Sequence, residues 1–162
     1  MDWEQRVAAL WADFDNHSEE DFIARMGALA DELPAGDPIG LYERGSAFDS
    51  TGDSASAIPF YREALARNLP GHRRRECVIQ MGSSLRNVGE LAESIAMLQA
   101  ERDRQSDELD DAVAATLALA LTDAGREREA VSVAVLALTK HMVRFKRSMT
   151  NYGKAIAEPK AG

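Results

Sequence analysis

Residues 41–61 read LYERGSAFDSTGDSASAIPFY, and this stretch determines the class of fold. Leu41, Gly45 and Phe48 recur at helical spacing and share one face of a helix. Gly52 follows them, and glycine can take the left-handed backbone conformation that ends one helix and turns the chain into the next. The stretch therefore predicts two helices joined by a tight turn at Gly52.

The same arrangement recurs twice further along the chain. The turn glycines Gly52, Gly89 and Gly125 are spaced by 37 and 36 residues. Seven residues before each glycine and five residues after it the residue is small, which lets two antiparallel helices approach closely. These small residues are Gly45, Gly82 and Ala118 before the turns and Ala57, Ser94 and Ala130 after them. Each unit is thus a helix–turn–helix whose apolar seam is buried by stacking on its neighbours.

These units resemble the tetratricopeptide repeat family. The first unit carries the family pattern most completely, in Leu41, Gly45, Phe48, Gly52, Ala57, Tyr61, Ala64 and Pro70, and the resemblance covers residues 38–141. The resemblance is to divergent repeats of bacterial type, and the units here span 36–37 residues. The hallmark tryptophan is replaced by Leu41, Val78 and Ala114, and the third unit has Ala118 for glycine and Ala134 for the large aromatic residue. The resemblance implies an all-α fold, a right-handed α-solenoid of antiparallel helix pairs with about nine helices.

We expect residues 1–162 to form a single domain of this kind. Its predicted parts are an N-terminal helix pair at 1–36, three repeat units at 37–70, 71–106 and 107–141, and a C-terminal capping helix at 142–158. A terminal helix with a polar outer face covers the core that a stack of repeats would otherwise expose.

Pro59 conflicts with the helix in which it lies. In a helix interior a proline costs about 3 kcal/mol, because it removes a backbone donor. If Ser56 is the N-cap, Pro59 falls in the first turn, where no intrahelical donor is lost. We therefore expect this helix to begin late.

The charge distribution argues against nucleic acid as a partner. The net charge is −8, and residues 1–70 hold 14 Asp/Glu against 5 Lys/Arg. Phosphate binding needs a concentrated positive field, which this half of the chain lacks. The acidic N-terminus does not look like a signal peptide, and no window approaches the roughly 18 apolar residues that span a bilayer. We therefore expect a cytoplasmic protein with no membrane partner.

The sequence shows no constellation of residues for catalysis. Because His17, His72 and His141 show no metal-binding motif, we expect each to be exposed at a helix end. No phosphate loop or nucleophile elbow is present, and Ser83 falls in mid-helix. Cys77 is the only cysteine, so no intramolecular disulfide can form, and a buried, inert thiol is expected. We expect no metal, no cofactor and no enzymatic activity.

The family resemblance also implies where a partner binds. In such arrays the first helix of each unit lines a concave groove that holds a peptide. The matching positions are Tyr42, Ser46 and Asp49 in the first unit, Ile79, Ser83, Arg86 and Asn87 in the second, and Ala115, Leu119, Thr122 and Asp123 in the third. Of the Lys and Asn clamp that some members use for a C-terminal carboxylate, only Arg86 and Asn87 come close. The implied function is a protein-interaction module or scaffold that binds a peptide or helix segment in this groove.

Four points stay open. The run Arg73, Arg74 and Arg75 is either a polar connector or a contact for an anion or acidic peptide, since arginine binds carboxylates in a bidentate manner. The second alternative is a structural homo-oligomer, such as a homodimer, that assembles through terminal helices carrying Trp3, Trp11 or Tyr152. The third alternative is a small ligand held at Tyr42, Arg86 and Asn87. The final helix could also fold back into the groove.

Overall fold

The structure is a computed structural model that describes residues 1–158, and these residues are helical with no strand. The helices within this range are α1 (Trp3–Ala12), α2 (Glu19–Ala30), α3 (Pro38–Ser50), α4 (Ser54–Ala66), α5 (Gly71–Asn87), α6 (Leu91–Arg104), α7 (Asp110–Asp123), α8 (Glu127–Thr139) and α9 (Lys146–Ala157). A short 3₁₀ turn, Phe14–Asn16, follows α1. The all-helical class is confirmed, and the described range holds the predicted number of α-helices.

The three turn glycines adopt the conformation that their spacing predicted. Gly52, Gly89 and Gly125 have φ values of +88°, +87° and +71°. In the first turn the amide of Asp53 donates to the carbonyl of Phe48 over 2.9 Å, and the amide of Gly52 donates to that of Asp49 over 3.0 Å. The other two turns repeat this pair of bonds, which is the Schellman arrangement that satisfies the last carbonyls of a helix. Each turn glycine of the repeat therefore marks the end of a helix.

The chain divides into two compact parts, Met1–Ser84 and Leu85 onward, and the boundary falls within α5. We call these parts unit 1 and unit 2, and they are not the same as the three repeat units. The single domain expected for residues 1–162 stays a prediction. Its last helix begins at Lys146 rather than at residue 142, because residues 140–145 form the preceding turn. Residues 159–162 of that prediction lie outside the described residues.

Each unit has its own apolar core. In unit 1 the rings of Trp11 and Phe14 lie 4.9 and 4.7 Å from the ring of Phe22, so α1 and α2 are joined through aromatic contacts. The buried cluster there consists of Val7, Phe22, Met26 and Ala47. In unit 2 the cluster comes from α6, α7 and α8, and consists of Ile95, Leu98, Leu117, Ala120, Leu121 and Ala130. Helix α9 packs on α8, with Gly153 against Val135 and Leu136.

The structure corrects the expected start of α4. The helix begins at Ser54, and its N-cap is Asp53, whose side chain accepts a hydrogen bond from the Ser56 amide. Pro59 therefore lies inside the helix and not in its first turn. The prediction of a late start was wrong, because Asp53 follows the turn glycine directly and offers a carboxylate to the first free amides. Pro59 is exposed to solvent, and the helix continues through it although its nitrogen donates no hydrogen bond.

Candidate functional site

Unit 1 contains an open cleft of about 320 Å³, formed by one face each of α1, α3 and α5. We call it the unit 1 cleft. Its walls mix apolar and charged side chains, and its lining residues are Glu4, Val7, Ala8, Trp11, Tyr42, Glu43, Ser46, Ser50, His72, Arg73, Glu76 and Gln80. Helical spacing accounts for this arrangement, since residues 4, 7, 8 and 11 share one face of α1.

Hydrogen bonds between α3 and α5 hold the polar side chains of the cleft in place. Tyr42 donates its hydroxyl to Glu76 Oε2 over 3.0 Å, and Ser46 donates to Gln80 Oε1 over 2.9 Å. Tyr61 of α4 donates to the same Gln80 oxygen over 3.0 Å. Burial, with the nearby charge of Glu76, raises the pKa of Tyr42 well above its usual range. Its hydroxyl therefore remains a donor at neutral pH.

The most buried charge of the cleft is the carboxylate of Glu43, which is 3% exposed. Its two oxygens accept hydrogen bonds from Trp11 Nε1 and Arg73 Nε, each over 3.0 Å. The far side of the Arg73 guanidinium pairs with Glu4, with an Nη2–Oε2 distance of 2.5 Å. Burial opposes the charge of Arg73, but its bonds with Glu4 and Glu43 raise its pKa above the ordinary value. Arg73 thus joins α1, α3 and α5 through ion pairs.

These contacts bear on the predicted anion contact at the arginine run. Arg73 is already engaged by two carboxylates, Arg74 is half-buried, and Arg75 is 2% exposed. An anion from solution would have to displace Glu4 or Glu43 to reach Arg73. The run starts helix α5 and faces largely inward, and it is not a solvated connector.

Of the predicted groove residues in unit 1, Tyr42 and Ser46 line the cleft. Asp49 is half-buried and does not line the cleft, and it accepts a hydrogen bond from Ser84 Oγ over 2.7 Å. Ile79 and Ser83 are half-buried and do not line the cleft. The structure therefore brings together part of the predicted set and adds residues from α1.

In unit 2 the structure joins two of the predicted residues directly. Arg86 Nε lies 2.6 Å from Asp123 Oδ2, so α5 and α7 are linked by an ion pair. Thr122 donates its hydroxyl to the Ala118 carbonyl over 2.9 Å, within α7. The remaining positions are exposed, and they are Asn87, Ala115 and Leu119.

Sequence reasoning missed the contributions of α1 and of Glu76 and Gln80 to the cleft. The repeat pattern places helix α1 in an N-terminal pair outside the three repeat units, because it carries no repeat signature. The signal that could have found it is the shared face of Glu4, Val7 and Trp11, which places a charge beside apolar residues at helical spacing.

The expected exposure of the histidines is wrong for His17. Its side chain is 13% exposed, and its ring nitrogens lie 3.1 Å from Asp13 Oδ2 and 2.6 Å from Asp21 Oδ2. The two carboxylates stand four residues on either side of His17. Arg25 first, and then His17, lower the pKa of Asp21 through hydrogen bonds. His72 and His141 are exposed as predicted.

Within 1–158 no group of three or more His, Cys, Asp or Glu side chains could hold a metal ion. In the same range no helix has the length and apolar character needed to cross a membrane. Cys77 is fully buried, as predicted, and burial raises its pKa to about 12.

The comparisons with known proteins agree with the helical repeat. A family model described as a tetratrico peptide repeat matches residues 38–156, which include α3 to α8 and nearly all of α9. No curated protein and no solved structure matches the chain. Because the family match covers more than half of the sequence and includes all three turn glycines, the chain belongs to the tetratricopeptide repeat family.

Proposed function

We propose that this chain is a protein-interaction module that holds a segment of a partner protein in the unit 1 cleft. Tetratricopeptide repeats generally mediate binding between proteins, and this supports the class of function. The cleft itself is the observation that supports this choice of site, because the Tyr42–Glu76 and Ser46–Gln80 hydrogen bonds already hold its polar groups in place. Groups that need no rearrangement lose less conformational entropy when a partner binds.

The size of the cleft favours an extended segment over a helix. Its volume of about 320 Å³ is near the lower end of ligand cavities, and it has room for one or two side chains. Trp11 and Val7 supply apolar contact area at the α1 wall, and Glu4 and Glu76 supply negative charge. A partner segment with an apolar side chain beside a cation fits this lining.

The predicted groove positions of unit 2 form a second proposed contact. Leu119 is 52% exposed, and the Arg86–Asp123 pair offers both signs of charge nearby in unit 2. Replacing Arg86 and Asn87 together by alanine is expected to weaken capture of the partner without unfolding the chain. Unchanged capture by this double variant would remove unit 2 from the proposed binding surface.

The N-terminal tryptophans give little support to the homo-oligomer alternative. Trp3 Nε1 donates to the Leu29 carbonyl over 2.8 Å, and Trp11 Nε1 donates to Glu43. Both indoles are thus engaged within unit 1. Tyr152 differs, because it is 67% exposed.

Site-directed photo-crosslinking tests the proposed site. A photoreactive amino acid at Ala8, which is exposed and lines the cleft, is expected to capture a partner protein from the source cell. The matched control places the same amino acid at Ala24, which is exposed on α2 and lies outside the lining.

A blocking variant then tests whether the captured protein occupies the cleft. With the photoreactive group at Ser50, Ala8→Trp should fill the cleft and abolish capture, while Ala24→Trp should leave it unchanged. Equal capture from Ala8 and Ala24, or capture that survives Ala8→Trp, would contradict the assignment.

A further inference from the structure

The turn between α8 and α9 exposes an apolar and basic segment. Residues 142–147 read Met-Val-Arg-Phe-Lys-Arg, and we call them the basic segment. Val143 is 98% exposed and Phe145 is 77% exposed, which is unusual for large apolar side chains that stand two residues apart. The cations Arg144, Lys146 and Arg147 are exposed as well, and they form no ion pair with any residue that the structure describes.

The backbone presents this segment in a defined conformation. Phe145 has a φ of +63° and is the N-cap residue of α9, and its carbonyl accepts a hydrogen bond from the Met149 amide over 3.0 Å. Bulky residues rarely adopt this left-handed conformation. Helix α9 is in turn anchored on α8 through Gly153. The segment therefore lies on the surface of unit 2, between the packed helices α8 and α9.

The unit 1 cleft has the complementary charge. Three carboxylates, those of Glu4, Glu43 and Glu76, stand against the single guanidinium of Arg73. Glu76 uses Oε2 to accept the Tyr42 hydrogen bond, which leaves Oε1 to accept from a cation. Trp11 and Val7 lie in the same cleft and can cover an aromatic or aliphatic side chain.

We propose that the basic segment of one copy of this chain docks into the unit 1 cleft of a second copy. Arg144 or Lys146 then pairs with Glu76 and Glu4, and Phe145 or Val143 packs beside Trp11. This inference rests on the proposed function, because it names the occupant of the same cleft. Opposite charges on the two surfaces favour the encounter and align the segment in the cleft.

The charge of the whole chain favours this occupant over a nucleic acid or an anionic membrane. Residues 130–157 contain five Lys/Arg and no Asp/Glu, while residues 1–70 hold 14 Asp/Glu against 5 Lys/Arg. An anionic surface that attracts the basic segment repels the rest of a chain whose net charge is −8. A second copy has the same net charge, but it presents a carboxylate-lined cleft for the basic segment and a basic segment of its own, which a nucleic acid or a membrane does not.

Analytical ultracentrifugation of the full chain over a wide range of concentrations tests the proposal. The mean mass is expected to rise with concentration and to fall as salt is added, since salt screens exposed ion pairs. Arg144→Glu with Lys146→Glu, and separately Glu76→Lys, should each weaken association by at least about tenfold. The segment variant changes two exposed side chains, so it keeps the fold, and its melting curve checks this.

Mixing the variants provides the decisive measurement. The Glu76→Lys chain has a cleft of reversed charge, and the Arg144→Glu/Lys146→Glu chain has a segment of reversed charge. In an equal mixture the altered segment fits the altered cleft, and the two wild-type surfaces also remain available to each other. Association should therefore recover in the mixture. Failure to recover, or a chain that is monomeric at every concentration, would overturn self-docking.

A peptide of residues 142–147 separates failure of this inference from failure of the proposed function. In a Trp3→Phe background the remaining indole, Trp11, reports on the cleft, and the peptide is expected to change its fluorescence. If the peptide has no effect while crosslinking at Ala8 still captures another protein, self-docking is wrong and the cleft remains a binding site. A second experiment tests membrane binding by flotation with vesicles that contain phosphatidylserine. If the chain floats with the vesicles, the segment variant does not, and no self-association is seen, the segment binds membranes and the proposal is overturned.

Discussion

Gly45 of α3 lies directly against the ring of Tyr61 of α4, so that a Cβ atom at residue 45 would stand 2.8 Å from ring atoms Cδ1 and Cε1. The ring has little freedom to move, because Tyr61 is fully buried and its hydroxyl donates to Gln80. This contact is the physical reason for a small residue at the position seven before the turn glycine. It also links the repeat pattern to the cleft, because Gln80 lines the cleft.

Gly45→Ala is expected to destabilise the chain despite the better helix propensity of alanine. Overpacking costs typically 1–3 kcal/mol, and the propensity gain returns about 0.5–1 kcal/mol. We expect a net loss of about 1–2 kcal/mol in the free energy of unfolding, measured by urea denaturation. Gly27→Ala is the matched control, since a Cβ there meets only the flexible end of Arg44, at 3.1 Å. If both variants are equally stable, the contact with Tyr61 does not limit residue 45.

Pro59→Ala is expected to stabilise the chain. Alanine restores the backbone donor that α4 lacks at this exposed position, and removes the clash of the proline ring with the preceding turn. Loss of the proline also increases the entropy of the unfolded chain, which offsets part of the gain. The expected net gain is about 1–3 kcal/mol, seen as a higher urea midpoint with an unchanged slope. A lower midpoint would show that α4 is shaped around the proline.

Arg73→Gln is expected to be strongly destabilising, because it leaves the carboxylate of Glu43 buried without its charged partner. Removing one member of a buried pair typically costs 3–5 kcal/mol, and since Arg73 is 15% exposed we expect about 2–4 kcal/mol. Glu4→Gln is the control, since that side chain is 57% exposed and the Glu43 pair survives. We expect its cost to stay below about 1 kcal/mol.

A double variant checks the origin of this loss. Adding Glu43→Gln to Arg73→Gln removes the buried charge and leaves an amide oxygen to accept from Trp11 Nε1. The double variant should therefore be more stable than Arg73→Gln alone, measured in a double-mutant cycle. Additive losses would show that the two side chains act independently.

The thiol of Cys77 is expected to resist a thiol reagent at pH 8 in the native chain and to react once urea unfolds it. Burial raises its pKa to about 12, whereas an unfolded cysteine titrates near 8.5, so the native state keeps its proton when the unfolded state has lost it. Its contribution to stability is therefore full below pH about 8.5 and declines as the pH rises toward 12. Cys77→Ala should show a smaller decline over this range. Rapid labelling of the native chain would show that α5 opens locally.

The residues that make the helical class predictable act locally. Gly52, Gly89 and Gly125 end helices because only glycine takes the left-handed turn without cost, and their near-equal spacing identified the repeat. The predicted start of α4 was wrong because two nearby residues are suitable N-caps. Asp53 rather than Ser56 caps α4, and both are acceptable N-cap residues, so residue type alone could not separate them.

The candidate site was only partly predictable, because its members are distant in the chain. Tyr42 and Ser46 were found through the repeat, but Trp11 and Glu43 are separated by 32 residues, and Arg73 and Glu4 by 69. Which carboxylate meets which arginine depends on how α1, α3 and α5 pack, and no periodicity in the sequence encodes that choice. His17 shows the same limit at short range, since its two aspartates are visible at helical spacing but its burial is not.

The sequence by itself determined that the chain is helical, where its turns lie and which family it belongs to, since helix propensity and turn geometry depend on near neighbours. The tertiary structure decided that α1 forms a wall of the unit 1 cleft, that Glu43 is buried between Trp11 and Arg73, and that Phe145 faces solvent. The physical reason is that burial and charge pairing are set by which helices come into contact, and that contact is a property of the packed chain.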